Sequence, residues 1–330
     1  MTAVIQGLGT SVPAQVVTND DLARTLDTSD AWIRSRTGIV QRHVAEPGVA
    51  TSDLAVEAGA AALKSADNPE VDAVVLATMT PDRPCPATAP TVATRLGLAS
   101  GMAFDVNAAC SGFVYGLAVA GGLVSSGVAE RALLVGADVM TRVVDPADRN
   151  TAVLFGDGAG AVVIGRGNEG DDGAIGPFDL GGNGELGDLL HIPAGGSRRP
   201  ADEDTVAERD HFLRMDGKEV YRQAVAGMVV SCARLLAAAG LDIDDVDHLV
   251  AHQANARILA AVGDRLGLAE QRRVCNVDRY GNTTAASIPL ALADLHRQGV
   301  RPGARILLTA FGAGLSWGSV LVRWPDLGRP

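Results

Sequence analysis

The chain has 330 residues, nearly half of them hydrophobic and few aromatic, with a formal net charge of −11. That length calls for two lobes rather than one compact core. The acidic balance excludes general affinity for nucleic acid or an anionic membrane, so any acidic partner has to meet a local basic patch.

Read from the N-terminus, the first residues show no basic region followed by a long apolar run, and no signal peptide is expected. Ala3–Leu8 is a predicted strand ending in Gly7-Leu8-Gly9. Pro13 follows where a dinucleotide fingerprint needs a third glycine and an opening helix, which excludes a nicotinamide site of that kind. Asn19 is expected to cap a helix over Asp20–Leu26, and Thr28-Ser29-Asp30 another around Trp32-Ile33. Arg34, Arg36, Arg42 and His43 make the next segment basic, either as a solvated face or as an anion-binding surface. Trp32 beside them favours the second, because an aromatic plane next to guanidinium groups suits a nucleotide. A helix opens at Thr51-Ser52-Asp53 and runs to about Ala66. Val71–Thr78 is a β-branched apolar run, hence a buried strand. Thr80–Pro90, with four prolines and Cys85, is a loop before a helix around Thr91–Leu96.

Met102–Val106 is a strand that delivers the stretch Asp105–Leu117, in which a turn of small residues leads into a helix with Cys110 in its first turn. A thiol there faces unpaired N–H groups and the positive end of the helix dipole, both of which favour the nucleophilic thiolate. The alternative is a small hydrophobe buried at a strand–helix junction. Cysteines 85, 110, 232 and 275 form no CxxC pair and no disulfide framework, as expected of a reducing compartment. The uncharged stretch Ala108–Ala129 is long enough to span a bilayer, yet its Gly, Ser and Ala content reads as a central helix buried on all sides.

Ala132–Ala137 is a further strand, and Asp145–Asn150 a polar loop containing Arg149. The glycines of Phe155–Ala161 precede a strand at Val162–Gly165; no Lys-Ser/Thr follows them, which excludes a P-loop. Gly165–Asp210 reads as a linker with strands and mobile loops. A long amphipathic helix spans Asp216–Ala239, a strand Val246–His252, and a helix about Asn255–Leu266. Cys275-Asn276-Val277 is short and extended, Asn282 caps a helix to Leu295, and strands lie at Arg305–Ala310 and Ser319–Trp324 around the turn Phe311–Trp317. Three segments recur at offsets of roughly 170–175 positions: Val71-Asp-Ala-Val-Val with Val246-Asp-His-Leu-Val, Asp105-Val-Asn with Asn276-Val-Asp, and Arg131-Ala-Leu-Leu-Val with Arg305-Ile-Leu-Leu-Thr. A duplicated α/β unit gives such spacing, with mostly parallel sheets and sites outside the strand ends. Cys110, His252, Asn282 and Ala313 all fall just past a predicted strand end.

His248 and His252 invite a metal reading, but four positions along a strand separate the rings by roughly 13 Å. Leu249 stands where a zinc-hydrolase signature needs its glutamate, so no metal is expected. His252 beside Gln253 and Asn255 is read as a hydrogen-bonding catalytic group, and His248 as a core histidine. Ala109-Cys110-Ser111-Gly112-Phe113, His252-Gln253-Ala254-Asn255-x-Arg257-Ile258 and Gly281-Asn282-Thr283-Thr284-Ala285-Ala286-Ser287-Ile288-Pro289 together resemble the β-ketoacyl-[acyl-carrier-protein] synthase III family. The likeness runs from Asp30-x-Trp32-Ile33 to Phe311-Gly-x-Gly-x-x-Trp317-Gly318, essentially the whole chain.

The resemblance implies an α/β thiolase-like fold, with duplicated halves (residues 1–170 carrying the cysteine, 171–330 the histidine and asparagine) in a five-layered αβαβα arrangement, and a cytoplasmic homodimer. It implies an acyltransferase that needs no cofactor beyond its coenzyme A thioester substrate and starts type II fatty-acid synthesis. Cys110 takes an acyl group from acyl-CoA, and malonyl-acyl carrier protein is then condensed with loss of carbon dioxide, His252 and Asn282 donating hydrogen bonds to the enolate. The backbone N–H groups of Cys110 and Ala313 hold the second oxyanion; the family usually has glycine at the latter position. Thr28, Trp32, Arg36 and Arg149 are the expected coenzyme A contacts, and Cys85, Phe155 and Met215 the acyl pocket. Cys85 replaces a phenylalanine common in acetyl-preferring relatives, which implies room for longer or branched acyl groups. Arg222, Arg257 and Arg265 form the expected carrier-protein patch, with Asp264 where another cation is frequent. A starter-unit synthase or acyltransferase of a polyketide or related pathway is the alternative on the same fold.

Overall fold

The structure, a computed structural model, describes residues 2–328. One sheet is built from β1 (Thr2–Ser11), β2 (Ala73–Ala77), β3 (Met102–Val106), β4 (Arg131–Asp138) and β5 (Gly158–Gly167). A second holds β6 (Ile175–Gly182), β7 (His248–Ala251), β8 (Arg305–Gly312) and β9 (Ser316–Arg323). The helices used below are α1 (Asp30–Thr37), α2 (Thr51–Ser65), α3 (Ala89–Arg95), α4 (Gly112–Ser125), α5 (Gly217–Ala239), α6 (Ala256–Leu266) and α7 (Ser287–Arg297).

The spatial orders are β1-β5-β4-β2-β3 and β6-β9-β8-β7. Pairings repeat strand for strand. β1–β5 and β6–β9 are antiparallel, as are β5–β4 and β9–β8, whereas β4–β2 and β8–β7 are parallel. The counterpart of β3 is reduced to a parallel bridge between Leu249 of β7 and Arg273. The duplication seen in the sequence is thus a duplication of topology.

Alternation along the strands makes the layers. Val75, Leu134, Val250, Leu308 and Val320 point inward, onto Phe113, Val114 and Leu117 of α4 and Ile288, Leu292 and Leu295 of α7. Val74, Leu76, Leu133 and Val135 point the other way, under α2 and α3, and Leu249, Leu307 and Leu321 lie under α5 and α6. The result is the expected αβαβα order. Each fully buried aliphatic side chain contributes roughly 1.5–3 kcal/mol relative to exposure. The middle helix layer is the one the composition of Ala108–Ala129 pointed to. Its α4 starts later than expected, after a 3-10 turn at Ala109–Ser111. By length and composition alone α5 is apolar enough to cross a membrane, but Val225, Met228, Cys232 and Leu236 pack its face on the second sheet.

Several local expectations are corrected. Thr18, not Asn19, caps the first helix: its hydroxyl accepts from Asp21 N–H, and Asn19 is buried and bonded to Ile39 O at 2.7 Å. The glycines of Phe155–Ala161 lie partly inside β5, where Gly160 lets Pro289 of α7 approach to where a Cβ would stand. Gly165–Asp210 carries the strands expected of it, among them β6 of the second sheet, but also a short helix at Glu203–Ala207 that its composition did not announce. Residues Val277–Tyr280 form a helical turn instead of continuing an extended segment from Cys275.

The basic segment after Trp32 also divides. Arg34 pairs with Asp30 at 2.7 Å, and Arg42 is buried, bonded to Asn19 Oδ1 (2.9 Å) and to Val153 O (2.7 Å). His43 Nδ1 lies 2.6 Å from Pro13 O. Of the four residues only Arg36 reaches the cavity described next. The other three brace the chain.

Candidate active site

Cys110, His252 and Asn282 line one cavity of about 590 Å³. They are 7%, 2% and 6% exposed, so a ligand reaching them is largely withdrawn from water. Two of them lie beyond a strand end, whereas Asn282, expected past a short extended segment, follows the helical turn Val277–Tyr280. Cys110 sits in the 3-10 turn between β3 and α4, His252 directly follows β7, and Asn282 precedes the 3-10 turn (Thr284–Ala286) that opens α7.

The two turns have the same backbone. Ala109 and Thr284 both adopt left-handed φ, +45° and +47°. Asn107 Oδ1 accepts from Ala109 N–H at 3.2 Å, and Asn282 Oδ1 from Thr284 N–H at 2.9 Å. The second bond fixes which end of the Asn282 amide is occupied: its oxygen faces the turn, leaving Nδ2–H as the free donor. The Asn282 backbone is held by Leu154 O (2.8 Å) and Gly156 N–H (3.0 Å).

His252 Nδ1 is 2.7 Å from Ser287 Oγ, and that same oxygen accepts from Gln253 N–H at 3.3 Å. Because that oxygen already accepts one N–H, its own proton is free to be donated to Nδ1. In the tautomer that accepts this proton, the imidazole carries its own on Nε2, on the side away from Ser287. Burial pushes the His252 imidazole down to about 4, so it is neutral at physiological pH.

Cys110 departs from the expectation of a resting thiolate. Burial, aided by the Asp138 carboxylate, pushes the thiol up to about 12. Desolvation outweighs the turn's N–H groups here, and the resting group is the thiol. Behind it, Gly312 is required by close approach: a Cβ there would stand 2.8 Å from Cys110 N and 2.9 Å from Ser111 N.

The cavity mouth carries Trp32, with Arg36 stacked at 4.7 Å and Arg149 at 5.2 Å from the ring centre. Arg149 is anchored by Asp27 O at 2.8 Å. Thr28 Oγ1, close in sequence, is buried and without a partner. Phe155 and Met215 line the cavity with Leu190, and Ala313 packs against the same apolar cluster. Ala313 does not need left-handed backbone, so alanine replaces glycine there without conformational strain. Cys85 is exposed on its loop and does not reach the cavity of its own chain.

Arg257 lines the cavity and stacks on Tyr221 at 5.7 Å, whereas Arg265 is exposed in the last turn of α6. Arg222 is engaged by Glu219 at 2.6 Å, and Asp264 is taken up by Arg273 at 2.7 Å. Sequence reasoning missed Lys218, an exposed cation at the cavity rim in the first turn of α5, and Phe311 and Met228 in its wall. The Asp216-Gly217 cap ahead of Lys218 was the available signal.

Residues 104–184 match the family model described as 3-Oxoacyl-[acyl-carrier-protein (ACP)] synthase III, and residues 236–324 match its C-terminal counterpart. Beta-ketoacyl-[acyl-carrier-protein] synthase III 3 of Streptomyces coelicolor is 54% identical over 328 residues, covering 98% of this chain and 97% of that protein. The crystal structure of 3-oxoacyl-(acyl carrier protein) synthase III from Pseudomonas aeruginosa PAO1 superposes with a TM-score of 0.92 at 54% identity, over 98% of this chain and 99% of that one. The priming beta-ketosynthase of the R1128 polyketide pathway gives 0.90 at 36% identity, over 99% and 97%. Near-complete coverage at this identity, on the fold and motifs above, leaves one conclusion: the chain belongs to the β-ketoacyl-[acyl-carrier-protein] synthase III family of condensing acyltransferases.

Proposed function

We propose that this chain starts fatty-acid synthesis by joining an acyl group from acyl-CoA to malonyl-acyl carrier protein, with Cys110, His252 and Asn282 as its catalytic residues. The observation that carries this is the convergence of those three groups, from both halves of the chain, on one secluded cavity. The halves are residues 1–170 and 171–330.

In the first stage the Cys110 sulfur attacks the thioester carbonyl, and the thiol proton leaves with coenzyme A as its free thiol. Backbone N–H groups of Cys110 and Ala313 stabilise the oxyanion. Trp32, Arg36, Arg149 and the orphaned Thr28 hydroxyl suit an adenine and its phosphates. In the second stage malonyl-carrier protein docks on Arg257, Arg265 and Arg222. Loss of carbon dioxide leaves an enolate whose oxygen receives hydrogen bonds from His252 Nε2–H and Asn282 Nδ2–H. The enolate carbon attacks the acyl-cysteine, expelling the Cys110 thiolate, which takes a proton from water. No base is required, because decarboxylation supplies the carbanion.

Phe155 and Met215 form the acyl pocket. The chain works as a cytoplasmic homodimer in this reading. β3 is a sheet edge with an exposed Met102, suited to pairing with the same strand of a second copy. Cys85, on its exposed loop, then contributes to the partner's acyl pocket. A starter-unit synthase of a polyketide pathway would use the same three groups, and the likeness to a priming ketosynthase is the observation in its favour. The higher identity to the Streptomyces coelicolor relative favours the first reading.

Intact-mass measurement after incubation with acetyl-, isobutyryl- and longer acyl-CoA tests the proposal. An acyl adduct is expected in the native chain and not in Cys110→Ala, followed by 3-oxoacyl product once malonyl-carrier protein is added. A chain that gains no acyl mass from any thioester overturns it.

A further inference from the structure

Asp138 ends β4 in the first half, completely buried, and touches none of the reacting groups, bearing on the Cys110 thiol only through its charge. Its carboxylate nevertheless collects six hydrogen bonds. Oδ1 accepts from Thr78 Oγ1 (3.0 Å), Met79 N–H (2.8 Å), Thr80 N–H (3.2 Å) and Thr80 Oγ1 (3.0 Å). Oδ2 reaches into the second half and accepts from Thr284 Oγ1 and from Ala285 N–H (3.2 Å). These donors offset part of its desolvation, but burial outweighs them and holds the carboxyl above the usual carboxylate range.

The duplication shows what this carboxylate replaces. β4 and β8 are both eight residues long and hold the same place in their sheets, so Asp138 corresponds to Gly312. The turn at Asn282–Ser287 corresponds to that at Asn107–Gly112, which sets Ala285 opposite Cys110. On the first turn the strand-end residue is glycine, and no side chain stands against the Cys110 N–H from that position. On the second, the strand-end residue is an aspartate, and the matching N–H of Ala285 is consumed. Gly136 adds to the fit: a Cβ there would stand 2.5 Å from Ala285 O, so only glycine lets this turn lie against β4.

We propose that Asp138 is a positioning residue that acts across the junction of the halves. It clamps the left-handed Thr284 turn and thereby aims the Asn282 carboxamide into the cavity. Left-handed φ at a threonine costs of order 1–3 kcal/mol and persists only where neighbours over-determine it. Here the Thr284 hydroxyl and the next N–H are both tied to Asp138, while the Thr284 N–H holds Asn282 Oδ1. Release of the clamp lets the turn relax, and Asn282 loses the bond that turns Nδ2–H outward.

This inference rests on Asn282 as an enolate donor, and its test separates the two. Self-acylation by acyl-CoA and condensation with malonyl-carrier protein are measured for Asn282→Ala, Asp138→Asn, Thr284→Val and Thr284→Ser. Complete loss of one oxyanion donor costs about 10²–10³-fold in rate, which is the expected effect of Asn282→Ala on condensation. Thr284→Val, isosteric but without the hydroxyl, is expected to lose at least about tenfold of condensation while acylating Cys110 within about threefold of the native rate. Thr284→Ser, which keeps the hydroxyl, recovers most of that loss, and Asp138→Asn loses condensation to the same extent as Thr284→Val. Should Asp138→Asn not fold, the Thr284 pair alone decides. Condensation undiminished in Thr284→Val while Asn282→Ala is impaired overturns the clamp. Equal losses in acylation and condensation, or no recovery by serine, also overturn it, since a merely structural defect behaves so. Unimpaired condensation in Asn282→Ala overturns the donor reading itself.

Discussion

Lowering the pH from 7 to 4 puts the burial of His252 to a quantitative test. In the unfolded chain this imidazole titrates near 6.5, and in the folded chain burial holds it down to about 4. Between those values the unfolded state binds a proton that the folded state refuses, so stability rises with pH there. The contribution is fully present above pH 6.5 and is lost as pH falls through 4. The interval from 6.5 to about 4 is worth about 3 kcal/mol, a substantial part of the roughly 5–15 kcal/mol that typically separates folded from unfolded chains. Urea unfolding at half-unit steps from pH 4 to 7, for the native chain and His252→Gln, isolates this term from the carboxylates common to both. The native chain is expected to lose about 3 kcal/mol more than the variant over that range. Parallel stability curves would refute the argument, because they would mean that His252 is solvated or charged in the fold.

The thiol provides a second pH test: alkylation of Cys110 by iodoacetamide is expected to keep accelerating through pH 9 and 10, since burial and Asp138 push its titration up to about 12. A plateau below pH 8 contradicts this. Restoring bulk with Cys85→Phe is expected to lower turnover of isobutyryl- and longer acyl-CoA at least about tenfold relative to acetyl-CoA, and an unchanged profile across the thioester panel removes Cys85 from the acyl pocket. Charge reversal at exposed Arg265, as Arg265→Glu, is expected to raise the KM for malonyl-carrier protein several-fold more than that for acyl-CoA, with the difference shrinking as salt is added. Equal effects on both substrates would dismiss Arg265 as a docking residue.

The second sheet explains why duplication is chemically useful. Ala77 and Gly112 of the first half stand where the second half has His252 and Ser287, and Ala285 stands where the first half has Cys110. A Cβ on Gly112 would lie 3.3 Å from both Ala77 and Ala285, so the glycine seats the two turns against each other. In the proposed mechanism one repeated frame thus presents a nucleophile from one copy and two neutral donors from the other.

Much of this was legible in the chain. The repeat of Arg131-Ala-Leu-Leu-Val in Arg305-Ile-Leu-Leu-Thr announced the duplicated sheets, and the small-residue helix after Cys110 announced a buried middle layer. Both signals are local, since strand alternation and side-chain size are written residue by residue. The placing of Cys110 and His252 just past strand ends was legible for the same reason, whereas the helical turn that precedes Asn282 was not. What only the tertiary structure decided is how these groups are tuned. Arg42 looked like part of a basic surface and is a buried brace, because the carbonyls that hold it come from Val17 and Val153, distant in sequence. Cys110 looked like a thiolate from its place at a helix start, yet it rests as a thiol because burial and Asp138 dominate its surroundings. The orientation of the Asn282 amide and the proton on His252 depend on Thr284 and Ser287 in one turn and on Asp138, 146 residues from Thr284. Desolvation and hydrogen-bond direction belong to the packed three-dimensional neighbourhood, and a linear sequence lists the participants without their distances.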